Sequence, residues 1–160
     1  MESPAEKHRH FLNRCIELAT EAAVSGGGPF GALVVKDGRV VAEAYNRVTN
    51  DCDPTAHAEV TAIRKACKAL GSHQLTGAQL YSSCEPCPMC LGAIYWSRLD
   101  GVFYAASQAQ AAAAGFDDSL IYREAARPAA ERQIPFTHMH LPNSDRPFMQ
   151  WQAFADKTLY

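Results

Sequence analysis

The sequence predicts an α/β fold in which helices cover both faces of a five-stranded sheet of mixed strand direction. Three observations predict it. An amphipathic segment precedes a glycine run, two short apolar runs flank a tight-turn signal, and the remaining strand-like runs alternate with helix-like ones, the pattern of a layered helix-sheet-helix domain. A chain of 160 residues is long enough to bury a core of its own without disulfides.

The elements follow in order. Phe11, Cys15, Leu18, Ala19 and Ala22 recur at spacings of three and four, so residues 8–24 read as a helix stopped by Gly26-Gly27-Gly28. Residues 30–35 form an apolar run, Lys36-Asp37-Gly38-Arg39 is a hairpin turn, and residues 40–45 resume extended character, giving an antiparallel pair. The polar stretch 46–55 is a loop that delivers the chain to a second helix at 57–70, ended by Gly71. Residues 78–83 are the third strand. Glu85-Pro86 turns the chain into a helix at 87–97, and 101–105 is the fourth strand. Beyond it, residues 108–114 read as helix, 115–118 as a turn, 136–141 as a fifth strand and 145–157 as a final helix with an aromatic face. No repeat or interdomain linker interrupts this order, so residues 1–160 are expected to form one domain.

Composition narrows the function. Hydrophobic residues make up 48% and charged residues 20% of the chain, an ordinary globular balance. No apolar run approaches the roughly 20 residues needed to span a bilayer, and no export signal is present, so a cytoplasmic protein with no membrane partner is expected. The net charge is −2, and after Ala105 five Lys or Arg face six Asp or Glu, which provides no basic track for a phosphate backbone. A small neutral substrate fits better than nucleic acid. Six cysteines in such a chain read as thiols or metal ligands, not as a disulfide framework.

The chemistry concentrates in His57-Ala58-Glu59 and Cys84-Glu85-Pro86-Cys87-Pro88-Met89-Cys90. Cys87 and Cys90 are three apart, so within one helical turn both sulfurs share a face and chelate one ion. Pro86 and Pro88 suit a helix start, where unbonded N–H groups and the helix dipole favour the thiolate a metal needs. His57 would be the third ligand. Three ligands leave a position for water, as in catalytic zinc sites. Glu59 lies about 200° around a helix from His57, so the two converge only if their helix points its N-terminal end at the site. The carboxylate then reaches the water without ligating metal. Two other readings stay open on these residues: Cys84 as a fourth ligand of a structural zinc in a noncatalytic binding module, and an iron-sulfur site, for which the fourth cysteine is missing because Ile94 stands there.

His57-Ala58-Glu59 with Pro86-Cys87-x-x-Cys90 resembles the signature of the cytidine deaminase-like zinc deaminases. The similarity implies their three-layer sandwich with a five-stranded mixed sheet. Gly28-Pro29-Phe30-Gly31-Ala32, Asn46-Arg47-Val48, Gly115-Phe116-Asp117-Asp118, Ile134-Pro135-Phe136 and an aromatic C-terminus ending in Tyr160 look most like the small bacterial guanine deaminases. That resemblance implies one Zn2+ per subunit held by His57, Cys87 and Cys90, with Glu59 as the catalytic proton carrier. It further implies a purine substrate bound by Phe30, Asn46, Asp118 and Tyr160, and hydrolysis of guanine to xanthine and ammonia. Residues 143–160 would be a helix and tail covering an active site, with the tail crossing to a partner in a domain-swapped homodimer and Trp96 near the interface. Deaminases of guanosine, cytosine or another aminated heterocycle, and tRNA adenosine deaminases, share the same core motif. On residues alone, Phe30 reads as core, Asn46 as a loop cap, Asp117-Asp118 as a solvated turn and Tyr160 as a frayed terminus.

Overall fold

The structure is a computed structural model and describes residues 3–160. The chain divides into two compact units, Met1–Asp118 and Ser119–Tyr160.

In the first unit, helix α1 spans Pro4–Val24. Its start is dictated locally. Ser3 and Glu6 form a reciprocal capping box and Pro4 opens the first turn, where a missing N–H costs nothing. Strands β1 (Gly31–Lys36) and β2 (Arg39–Tyr45) pair antiparallel. The turn between them puts both Asp37 and Gly38 at positive φ, 51° and 74°, the twist-matched form of a two-residue hairpin. A short helix, α2 (Val48–Asp51), interrupts what the sequence predicts as plain loop. Then come α3 (Ala58–Leu70), β3 (Ala78–Cys84), α4 (Pro88–Trp96), β4 (Gly101–Ala106) and α5 (Gln108–Ala113).

The sheet runs β2-β1-β3-β4. β1 is antiparallel to both β2 and β3, while β3 and β4 are parallel, so the mixed direction expected from the sequence is present. Period-two alternation sorts the faces. Leu33, Val35 and Tyr81 pack with Cys15 and Leu18 of α1 on one side; Ala32, Val34, Ala44 and Leu80 pack with Ala58, Ala62, Ile63 and Ala66 of α3 and Ile94 of α4 on the other. Helices on both faces make three layers. Gly31 sets the α1 spacing, because a Cβ there would collide with the Cys15 carbonyl oxygen and come within 2.8 Å of Leu18 Cβ.

The second unit holds α6 (Ser119–Ala125), which the sequence reading lacks, a 3-10 turn at Ala129–Glu131 and α7 (Arg146–Ala153), shorter than the predicted final helix. The fifth strand is a correction. Residues 136–141 carry no regular structure, and the sheet has four strands among the described residues. Phe136, Met139 and Leu141 give the run its apolar, strand-like composition but are 56%, 72% and 61% exposed. An apolar run becomes a strand only when a ladder takes up its backbone groups, and no ladder does so here.

Candidate active site

Strand register brings the predicted residues to one end of the sheet. Because β1 opposes β3 with Ala32 beside Ser82, the start of β1 lies next to the end of β3, where the Gly31 N–H donates to Ser83 Oγ at 3.0 Å. Tyr45 pairs with Gly31, and Cys84 with Ala106. Phe30, Asn46, Glu85 and Gln108 therefore flank the carboxyl ends of the two parallel strands, where α/β sheets form their ligand crevices.

Two helices aim their N-terminal ends at the same place. His57 is the N-cap of α3 and Cys87 the N-cap of α4, both with extended backbone, and neither side chain caps its own helix. Their side chains meet each other instead. His57 Nδ1 lies 3.5 Å from each of Cys87 Sγ and Cys90 Sγ, and the two sulfurs are 3.6 Å apart. A four-coordinate zinc with bonds of about 2.3 Å to sulfur and 2.0–2.1 Å to nitrogen needs donor separations of roughly 3.8 Å (S to S) and 3.5 Å (S to N). The three donors already have that spacing. Among the described residues, this trio is the group of three or more His, Cys, Asp or Glu side chains placed to share an ion.

The electrostatics suit a cation. The Cys87 thiol is pulled down to about 4, first by the hydrogen bond from Cys90 and then by His57, which leaves one sulfur ionised. His57 is raised, chiefly by its contact with Cys87. Cys84 differs. Burial pushes its thiol up, Glu59 adds to the effect, and its sulfur faces the Ser107 carbonyl at 3.7 Å. Cys84 stands outside the trio, so the four-ligand structural zinc has no fourth sulfur in place.

Glu59 follows His57 into the first turn of α3 and is 5% exposed. The N-terminal approach of α3 resolves the 200° separation. Near a helix end, both side chains can lean toward the axis. Burial raises the Glu59 carboxyl above the ordinary range, and Ser82 Oγ donates to its Oε1 at 3.3 Å. The sequence reading missed Ser82, yet a signal existed: Ser82 and Ser83 are adjacent polar residues in the buried second half of β3.

Asn46 is 6% exposed. Its Oδ1 accepts from the N–H groups of Gly28 and Val48, both at 3.2 Å. The glycine run that stops α1 has a second role, since a Cβ on Gly27 would meet the Asn46 carbonyl oxygen at 2.6 Å and one on Gly28 would meet its carboxamide at 3.0 Å. Phe30 packs partly on the core, with Phe116 edge-on to its ring at 5.0 Å. Asp118 Oδ1 accepts from Gln108 Nε2 at 2.5 Å. Tyr160 belongs to the second unit, where its ring lies 6.2 Å from that of Trp151.

Known proteins resemble this chain in sequence and fold. Residues 5–106 match the cytidine and deoxycytidylate deaminase zinc-binding region. The chain is 59% identical to guanine deaminase of Bacillus subtilis over 154 residues, which is 96% of this chain and 99% of that protein. It superposes on the X-ray structure of that enzyme with a TM-score of 0.94, covering 96% and 98% of the two chains. Guanine deaminase from Nitrosomonas europaea is 31% identical with a TM-score of 0.66, covering 74% of this chain and 66% of that one. A tRNA-specific adenosine deaminase of Agrobacterium fabrum is 44% identical over 97 residues, 61% of this chain and 64% of the relative. The zinc-spaced donors, the four-stranded α/β sandwich and these matches together place the chain in the cytidine and deoxycytidylate deaminase zinc-binding family.

Proposed function

We propose that this protein hydrolyses guanine to xanthine and ammonia, water supplying the new oxygen. The 59% identity to Bacillus subtilis guanine deaminase carries the reading, because it runs over nearly the full length of both chains, whereas the likeness to the tRNA adenosine deaminase stops at 97 residues. The even charge balance after Ala105 also favours a small base over RNA.

His57, Cys87 and Cys90 hold one zinc, which supplies Lewis-acid activation of the attacking water when bound. Glu59 moves the protons. It takes one from water, passes it to the ring nitrogen beside the amino-bearing carbon, and helps protonate the amine that leaves as ammonia. Burial supports this role: a carboxyl with a raised pKa returns a proton as readily as it takes one. With its oxygen engaged by two backbone donors, Asn46 offers the N–H groups of its carboxamide to an acceptor on the purine. Phe30 and the His57 ring pack against the base, and Asp118 accepts from a purine N–H. A base that left Asn46 unpaired would bear the desolvation cost of a buried amide.

The same reading extends to a cytoplasmic domain-swapped homodimer in which residues 143–160 cover the partner's site and Tyr160 completes it, with Trp96 near the interface. Its support is the apolar surface of the second unit, where Phe148, Met149, Phe154 and Leu159 are all more than half exposed. Such a surface is the mark of an interface.

Ammonia release by the zinc-loaded protein is the test, with guanine, guanosine, adenine, cytosine and an anticodon stem-loop compared against a Glu59→Ala blank. Turnover of guanine above the others is expected; preference for the stem-loop would move the chain to the tRNA enzymes. Mixing Glu59→Ala with Tyr160→Ala chains tests the swap. In a two-fold dimer with exchanged tails, about a quarter of wild-type activity returns after subunit exchange, and no recovery means that each tail serves its own chain.

A further inference from the structure

We infer that Gln108, braced by Glu85, is a positioning residue for Asp118, holding one carboxylate oxygen of that side chain so that the other faces the substrate. The inference rests on the reading of Asp118 as a purine contact.

The arrangement begins at the end of the parallel strand pair. The Glu85 N–H donates to the Ala106 carbonyl at 2.9 Å, which carries the β3–β4 pairing one step past Cys84 and Ala106. Ser107 then caps α5 through a capping box with Gln110, which fixes where the helix starts. Gln108 is the first residue of that helix, so its backbone N–H has no intrahelical acceptor. It donates instead to Glu85 Oε2 at 3.1 Å. Gln108 is thereby tied to the residue two places before Cys87, a candidate zinc ligand.

From this fixed base, the Gln108 carboxamide reaches Asp118, Nε2 donating to Oδ1 at 2.5 Å. Asp118 ends a turn that opens at Gly115 with φ of +96°. The same turn is held at a second point, where Phe116 lies edge-on to Phe30 with ring planes at 87°. Two anchors thus seat the segment 115–118, one on the Phe30 ring beside the crevice and one on Gln108 at the start of α5, which is itself tied to Glu85 ahead of the metal cysteines. With Oδ1 committed to Gln108, Oδ2 is the oxygen left for a ligand. A carboxylate held by one oxygen has lost most of its rotational freedom before substrate arrives, so less of the binding energy goes into ordering it.

The experiment compares guanine kinetics of Gln108→Leu, Asp118→Ala and the double variant, each checked for zinc content and melting temperature. Leucine keeps roughly the bulk of glutamine and removes the donor. The expected result is a rise in KM of roughly tenfold for Gln108→Leu, with kcat, zinc and melting temperature little changed. In the double variant, Gln108→Leu should add nothing to the Asp118→Ala defect, because both act through one interaction. A Gln108→Leu variant with wild-type KM beside an impaired Asp118→Ala would overturn the inference and leave the substrate contact standing. Defects that multiply in the double variant would also overturn it, by showing that Gln108 acts elsewhere. A silent Asp118→Ala would instead remove the contact on which the inference rests. Gln108→Asn and Gln108→His, each able to donate, should recover part of the affinity that leucine loses.

Discussion

Replacing Glu59 by glutamine keeps the volume and shape of the side chain and takes away its ability to carry a proton. The acceptor oxygen that Ser82 reaches at 3.3 Å has a counterpart in the amide, so the local hydrogen bond can persist. General acid–base catalysis by one group contributes about 10²–10⁴-fold, and each tenfold is about 1.4 kcal/mol of barrier. The variant should therefore lose two to four orders of magnitude in kcat, roughly 3–5.5 kcal/mol. Stability should move little. Glu59 is 5% exposed and its carboxyl is raised mainly by desolvation, so the wild-type fold bears the cost of a buried ionisable group that the amide lacks. Removing a buried salt-bridge partner would be destabilising, but no salt bridge to Glu59 is present among the described residues. A change below about 1 kcal/mol, or 2–4 °C in melting temperature at this chain length, is the expected stability effect. The assay is ammonia release from guanine, with zinc content and thermal melting measured on the same preparation. Loss of activity together with zinc or fold would show that Glu59 holds the site together. Near-normal kcat would remove it from proton transfer altogether.

Cys90→Ala takes away one of three donors that lie 3.5–3.6 Å apart, and the purified variant should carry well under one zinc per chain; full zinc occupancy would show that the ion sits elsewhere. Gly31→Ala forces a Cβ against the backbone of α1, an overpacking that should cost about 1–3 kcal/mol, read by denaturant unfolding, and unchanged stability would mean that α1 shifts freely on the sheet. Cys15, 0% exposed, has its thiol pushed up to about 12 by burial. Its folded pKa is raised, so its contribution to stability is whole below the ordinary thiol pKa near 9 and is lost as pH climbs toward 12. Linkage gives a loss of roughly 1.4 kcal/mol by pH 10, and Cys15→Ala should flatten the pH dependence between pH 8 and 10 by about that amount. An identical slope in wild type and variant would place the alkaline sensitivity on other groups.

Much of the first unit was legible from the chain alone because its signals are local. The spacing of Leu18, Ala19 and Ala22 favours a helix from local sequence alone, and Asp37-Gly38 favours the positive φ angles of a hairpin turn. Cys87 and Cys90 needed only one turn of helix to become a chelating pair. The segment 136–141 failed for the converse reason. Its apolar residues suggest a strand, but a strand depends on a neighbour's backbone, and no local composition announces whether a neighbour will be there. Helix α6 was passed over because Ser119–Ala125 is short and its apolar residues Leu120, Ile121 and Tyr122 are consecutive, not spaced at three and four.

The same division holds at the site. Sequence by itself determined the donor chemistry: a histidine and two cysteines in one helical turn specify a metal through covalent spacing, and the carboxylate two residues from the histidine is the proton carrier proposed for it. Tertiary structure decided the rest. That α3 and α4 both end-on face one point, that Cys84 turns to Ser107 and not to the metal donors, that Ser82 reaches Glu59, and that Gln108 holds Asp118 all follow from the register of β3 between β1 and β4. Register is set by which apolar faces bury together along the whole sheet, a property no short stretch of sequence contains.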